Sequence, residues 1–225
     1  MLHVDEIHKS FVTGPARLDV LRGASMTVER GEIVAIIGAS GVGKSTLLHI
    51  MGGLDRPTSG TVTIDGTDVF RMTDVDRARF RNRTVGFVFQ FHHLMKELTA
   101  LENVMMPCLI GGMTRSDAAR RGRDLLREVR LADRADHRPG ELSGGEEQRA
   151  AVARALATSP LIVLADEPSG NLDRANSDEL HDLLWRLRES LGQTFVIVTH
   201  DPELYGRADR VLALEGGVAR PVTGE

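Results

Sequence analysis

Two runs of consecutive apolar residues stand out along the chain. Ile33-Val34-Ala35-Ile36-Ile37 and Leu161-Ile162-Val163-Leu164-Ala165 have no polar interruption, which suits strands covered on both faces. Thr194–Val198 and Val211–Leu214 read as further buried strands, and Val85–Phe89 as another. Thr61–Asp65 alternates Thr-Val-Thr-Ile-Asp, a half-buried strand ending at Gly66. Val4–Phe11 and Ser25–Val28 read as short strands of an early sheet.

Helical spacing fills the gaps. Ser45–Met51 reads as a helix stopped by Gly52-Gly53, and Leu180, Leu183, Leu184, Leu187 and Leu191 recur at helical intervals. From Thr99 to Leu156 the pattern is helical throughout. Thr114-Arg-Ser-Asp opens one helix in the manner of a capping box, carrying Ala118, Leu125, Leu126 and Val129. Buried strands alternating with helices predict an α/β protein with a mostly parallel sheet, covered on both faces. The helical middle reads as a lobe, residues 91–157, inserted in a single domain spanning 1–225.

Composition narrows the class. Of 225 residues, 41% are hydrophobic and 27% charged, with a net charge of −4. That balance excludes disorder and argues against a nucleic-acid partner, which requires a dominant basic field. The single cysteine, Cys108, has no partner for an internal disulfide, so a reducing compartment is expected. It reads as a small buried hydrophobe. No apolar run approaches the ~20 residues of a membrane helix, and Met1-Leu2-His3-Val4-Asp5-Glu6 lacks the pattern of an export signal. Arg115–Arg138 holds eight Arg against five acids, either a solvated helical face or a surface near lipid headgroups.

The chemistry begins at Gly38-Ala39-Ser40-Gly41-Val42-Gly43-Lys44-Ser45-Thr46. The pattern G-x-x-x-x-G-K-[ST] lies between a buried strand and a helix, the context a phosphate-binding loop requires. Its glycines let successive backbone N–H groups turn inward around a phosphate, and the helix presents its positive end to the same place. Lys44 would reach the β- and γ-phosphates and Ser45 would bind Mg2+. Such a loop needs a metal-holding acid at a strand end. Asp166-Glu167 follows the second apolar run, so Asp166 would hold Mg2+ and Glu167 polarise the attacking water. Two acids after a strand are also a common helix-cap signal.

Leu142-Ser143-Gly144-Gly145-Glu146-Glu147-Gln148-Arg149 leads into a helix, Ala150–Ala157, with Ser143 as a plausible N-cap. A second glycine-lined helix start fits a phosphate too. One site needs one cradle, so the second makes sense if it completes the site of another copy. A plain capped helix is the simpler reading.

In these residues the chain resembles the ATP-binding subunits of ABC transporters, from about Val4 to Val218. Gly38–Ser45 is similar to their Walker A, Gln90 to the Q-loop glutamine and Leu142–Glu146 to the signature. Leu161–Glu167 is similar to Walker B with its catalytic glutamate, Ser169–Asp173 to the D-loop and His200 to the switch histidine. Phe11 falls where the family stacks an aromatic, usually Tyr, on adenine; it could equally be core. The resemblance implies a P-loop NTPase core with a mostly parallel sheet, an N-terminal antiparallel β subdomain and an inserted α-helical subdomain. It implies ATP and Mg2+ as ligands. It also implies a head-to-tail dimer, with each ATP between Lys44 of one copy and Ser143–Gly145 of the other. Catalytic roles fall to Glu167, His200, Lys44 and Gln90, and metal-binding roles to Ser45, Gln90 and Asp166.

Within that family, Phe89-Gln-Phe-His-His-Leu-Met95, Leu98–Pro107 and Leu109–Gly112 are similar to the LolD group, the ATPases of lipoprotein-releasing systems. This segment would dock integral membrane subunits of the LolC/LolE kind at the cytoplasmic face of a bacterial inner membrane. Macrolide-export and FtsE-type cell-division ATPases share parts of it. A soluble ABC-type ATPase is a different class, though such proteins generally carry two ATPase domains or long coiled coils; a small-molecule P-loop kinase is a third, and it would need no signature helix, so Ser143–Gly145 discriminates. His92-His93 suggests docking or packing rather than metal, and Met105, Met106 and Met113 deformable packing.

Overall fold

The structure, a computed structural model, describes residues 1–14 and 16–222. The elements run β1 (Leu2–Thr13), β2 (Ala16–Val28), β3 (Ile33–Ile37), α1 (Lys44–Met51), β4 (Ser59–Ile64), β5 (Thr67–Asp68) and α2 (Asp74–Thr84). There follow β6 (Val85–Phe89), α3 (Ala100–Ile110), α4 (Arg115–Glu128), α5 (Gly144–Ala155), β7 (Ile162–Asp166) and α6 (Arg174–Leu191). The chain closes with β8 (Thr194–Val198), α7 (Pro202–Tyr205), β9 (Arg210–Glu215) and β10 (Val218–Pro221). Residues up to Ala78, together with those from Thr194 onward, form one compact unit, and Arg79–Gln193 another.

The first unit contains two sheets. One is antiparallel, in the order β2-β1-β4-β5. The other has β3 between β9 and β8, all parallel, with β10 antiparallel on β9. Ile33, Val34, Ala35 and Ile36 are fully buried, as an unbroken apolar run at a sheet centre requires. Leu47, Leu48, Ile50 and Met51 of α1 are buried, and α1 packs against β8.

The early strands are far longer than Val4–Phe11 and Ser25–Val28. They form a continuous hairpin whose register shifts three times along β1. Bulges break the two-residue alternation, and Arg17, Asp19 and Arg22 line an exposed stretch, so the apolar signal is lost there.

In the second unit β6 and β7 run parallel. Helices α3, α4 and α5 pack on one another, and α5 also packs on β6 and α6. Thr99, Thr114 and Ser143 each cap the helix they precede, by accepting from the backbone N–H three residues on. Helix α5 therefore begins at Gly144 rather than Ala150: the reciprocal Ser143–Glu146 box draws the glycines into the first turn. Cys108 is buried and its thiol donates to the Ala157 carbonyl. Met105 is buried, whereas Met113 is exposed and so departs from the packing expected for it, and the buried stripe of α6 ends at Leu187 with Leu191 exposed.

At Gly86 the backbone of α5 comes so close that a Cβ would collide with the Ala155 carbonyl oxygen. Backbone on both sides leaves nothing to swing away. Gly86→Ala should therefore cost about 3 kcal/mol and lower the melting temperature by roughly 6–12 °C. Calorimetry showing an unchanged transition would refute this close packing.

Candidate functional site

In the first unit, β3 ends in the phosphate-type loop. Gly38, Gly41 and Gly43 have φ of 150°, 77° and 107°, conformations an L side chain rarely adopts. A Cβ on Gly38 would lie 2.6 Å from the Leu214 carbonyl, and one on Gly43 2.6 Å from Val20, while Gly41 faces open space. Lys44 Nζ donates to the carbonyls of Gly38 (2.9 Å) and Ala39 (3.0 Å), holding the ammonium over the loop. Val42 N–H donates to the Ala39 carbonyl, tightening the turn. Ala39, Ser40, Gly41 and Ser45 are exposed, and Thr46 half-buried.

Helix α1 starts at Gly43 with no side-chain cap, and its first turn has no acid. Its leading N–H groups, the Lys44 ammonium and the Ser45 hydroxyl make a donor set suited to phosphate with a hard cation. The residues present thus fit a Mg2+–nucleotide.

His200 lies at the same end of this sheet. The register pairs Ile36 with Val198, so Gly38 and His200 each follow two residues beyond a paired position. Thr199 is buried, His200 exposed, and Asp201 caps α7 by accepting from Glu203 N–H. The structure so brings the Lys44 loop and His200 to one edge. Phe11 lies on β1 opposite Leu18. It is 41% exposed, with Lys9 Nζ 4.8 Å from its ring centroid. That exposure removes the core alternative.

In the second unit, Phe89 pairs with Asp166 at the ends of β6 and β7. Gln90 and Glu167 each come next in the chain, so both follow the same end of this pair. Glu167 has a φ of 46°, a strained conformation for a side-chain-bearing residue. Its carbonyl accepts from Gly170 N–H at 3.0 Å. Gln90 and Asn171 exchange two hydrogen bonds of 3.1 Å. Gln90, Asp166 and Glu167 are thereby gathered around one turn.

Ser143, Gly144 and Gly145 sit apart, at the start of α5. Ser143 and Gly144 are exposed. Gly145 is buried so closely against Asn176 that a Cβ would strike that side-chain oxygen. The Glu146 carboxyl is held below the usual carboxylate range, chiefly by the Ser143 backbone N–H and also by Arg134. The ionised form is favoured on folding. The cap therefore contributes above the ordinary glutamate range and is lost as pH falls through the lowered value. An NMR titration of the Glu146 carboxyl should show a midpoint below that of a free glutamate; an ordinary midpoint would contradict the cap.

Four side chains in this region receive no role of their own from the sequence, although Asn171 lies inside the Ser169–Asp173 stretch and Gln148 inside Leu142–Arg149. Asn171 grips Gln90, Asn176 backs Gly145, Gln148 donates to the Phe89 carbonyl at 3.0 Å, and Arg154 donates to those of His92 and His93. Gln148 was detectable in one respect: it is a polar residue, 1% exposed, entering the alanine-rich buried face of α5. His92 pairs with Glu147 at 3.2 Å, and the His93 ring meets the Phe89 ring edge-on.

A glycine-lined cradle after a buried strand, with acids closing a parallel strand, defines a P-loop nucleotide hydrolase. The glycine-started helix α5 narrows the class further. The sequence profile of the ABC transporter family matches residues 21–170, and the chain belongs to that family. It is an ATPase, taking ATP with Mg2+. Among curated relatives, the lipoprotein-releasing system ATP-binding protein LolD of Geobacter metallireducens is 58% identical, over 96% of both chains. LolD of Porphyromonas gingivalis is 53% identical over 97% of this chain and 98% of its own.

Among solved structures, a dimeric post-hydrolysis ATP-binding cassette bound to ADP and Pi aligns with a TM-score of 0.91 and 37% identity. That alignment covers 99% of this chain and 98% of the other. A dimeric bacterial ABC transporter cassette aligns at 0.90 and 37% identity over the full length of both.

Proposed function

We propose that the chain is the ATP-hydrolysing motor of a lipoprotein-releasing ABC transporter, working as one domain with a helical subdomain over about 91–157. The observation that carries this reading is the second helix start, Ser143–Gly145, on an element distinct from the Lys44 loop. One nucleotide needs one cradle, so the two complete each other's sites between two copies. The cassette dimers in the related solved structures support that pairing.

The loop Gly38–Thr46 binds the phosphates through backbone N–H groups, and Lys44 neutralises their charge. Phe11 stacks on the adenine. Ser45, Asp166 and Gln90 would hold Mg2+, which when bound offsets charge developing on the phosphate oxygens. Glu167 takes the proton of the attacking water, and His200 donates to the γ-phosphate. Ser143–Gly145 of the second copy closes over the nucleotide, so ATP favours the closed dimer and hydrolysis releases it.

No described helix is long and apolar enough to cross a membrane, so membrane passage falls to partner subunits. Phe91 (63% exposed), Met95 (48%) and Ile110 (70%) offer an apolar docking surface in the second unit. The relatives' names support lipoprotein release, and we infer that the chain does this work at the cytoplasmic face of a bacterial inner membrane. The test is capture of tagged Glu167→Gln protein with ATP from detergent-solubilised native membranes. Recovery of lipoprotein-release membrane subunits is the expected result; recovery of division-type or drug-export subunits would overturn the transporter assignment.

A further inference from the structure

We propose that Arg154, Gln148 and Glu147 lock the docking segment onto the signature helix, so that the two move as one body. This rests on the docking role given above to Phe91–Met95. The three side chains project from α5: Glu147 and Arg154 reach the stretch that follows β6, and Gln148 reaches the last residue of β6, just before it. Gln148 Nε2 donates to the Phe89 carbonyl at 3.0 Å. Arg154 spans two successive carbonyls, with Nη2 2.6 Å from His92 and Nη1 2.7 Å from His93. Glu147 accepts from His92 Nε2 at 3.2 Å, with both side chains mostly buried.

The residue at the centre of this clasp is strained. His93 has a φ of 48°, a left-handed conformation that a non-glycine residue keeps only where its surroundings enforce it. Arg154 enforces it from one side and the Phe89 ring from another, its centroid 5.5 Å away. Burial lowers the Arg154 pKa, and its two charge-assisted bonds offset that desolvation only while both carbonyls are in place.

A segment held this way does not slide along α5; it carries α5 with it. Ser143–Gly145 begins the same helix, one turn before Glu147 and Gln148. Pressure on Phe91–Met95 is therefore transmitted to the Ser143–Gly145 cradle through a rigid helix. The alternative, transmission through Gln90 alone, leaves the clasp without a role in coupling. Glu147, Gln148 and Arg154 are positioning residues: they touch no nucleotide.

The test uses the full transporter complex reconstituted in vesicles, beside the isolated subunit. Glu147→Arg removes the acceptor of the His92 imidazole and puts a donor-only cation in its place. It should cut stimulation of ATP turnover by the membrane subunits about tenfold, read as the ratio of the variant's rate in the complex to the variant's own rate in isolation. His92→Glu combined with Glu147→Arg restores a donor–acceptor pair with the roles exchanged and should recover most of the stimulation. Hydrogen exchange of the isolated subunit supplies a readout free of any partner. The Met95 amide, which donates to Asn103 Oδ1, and the Glu146 amide, which donates to Ser143 Oγ, should lose protection together in Glu147→Arg and regain it together in the double variant. Unchanged stimulation in Glu147→Arg, no recovery in the double variant, or loss of protection in one segment only would each overturn the clasp. Absence of stimulation in the unaltered complex would instead refute the docking role, and the exchange data would still decide the clasp.

Discussion

Glu167→Gln should bind ATP normally, turn it over about a thousandfold more slowly and accumulate as a closed dimer. The substitution keeps shape and removes only the basic oxygen. A thousandfold loss is about 4 kcal/mol in the barrier, within the range of a positioned general base. The turn itself should survive, because the contact holding it is the Gly170 N–H on the Glu167 carbonyl, which a side-chain change leaves intact. Unfolding should therefore match the parent protein. Single-turnover assays and light scattering with ATP check the two halves separately. A variant with near-normal turnover would remove Glu167 from the chemistry.

Ser143→Arg should leave nucleotide binding by the monomer intact and abolish dimerisation on ATP. Ser143 Oγ accepts from Glu146 N–H at 3.2 Å, so its loss costs about 1 kcal/mol of helix capping and a few degrees in melting temperature. That alone does not prevent pairing. The larger effect comes from a long cationic side chain placed where the second copy's phosphate is to lie. Ser143→Ala separates the two: it loses the same cap with no added bulk. It should show the same thermal shift and a much smaller dimerisation defect. Equal defects in both variants would make the cap, not the cradle, the cause.

How much of this was legible depends on where each signal lies. Apolar runs with buried neighbours on both sides were readable: Val85–Phe89 and Thr194–Val198 coincide with β6 and β8, and Leu161–Ala165 with β7 to within a residue. The phosphate-type loop was legible because positive φ at Gly38, Gly41 and Gly43 demands a residue type that shows in the sequence. Helix α2 was not, because none of its residues is buried and no apolar stripe marks it. Strand β10, four residues with none buried, was invisible for the same reason.

The clasp around His92 and His93 was also hidden. Gln148 and Arg154 donate there to backbone carbonyls, which any sequence supplies, 59 to 62 residues away in the chain. Motif spacing thus singles out the candidate groups, but the contacts around His92 and His93 needed the fold.

If each nucleotide site is built from two copies, Lys44 from one and Ser143 from the other, two inactive variants should repair one another. Mixing Lys44→Ala with Ser143→Arg tests it most directly. Neither variant alone forms an intact site, so neither should hydrolyse ATP. A head-to-tail pair of the two contains one site in which both halves are unaltered. The mixture should therefore recover hydrolysis in proportion to the mixed dimers formed. If the mixture stays as inactive as its components while both bind to each other, the site is not shared between copies.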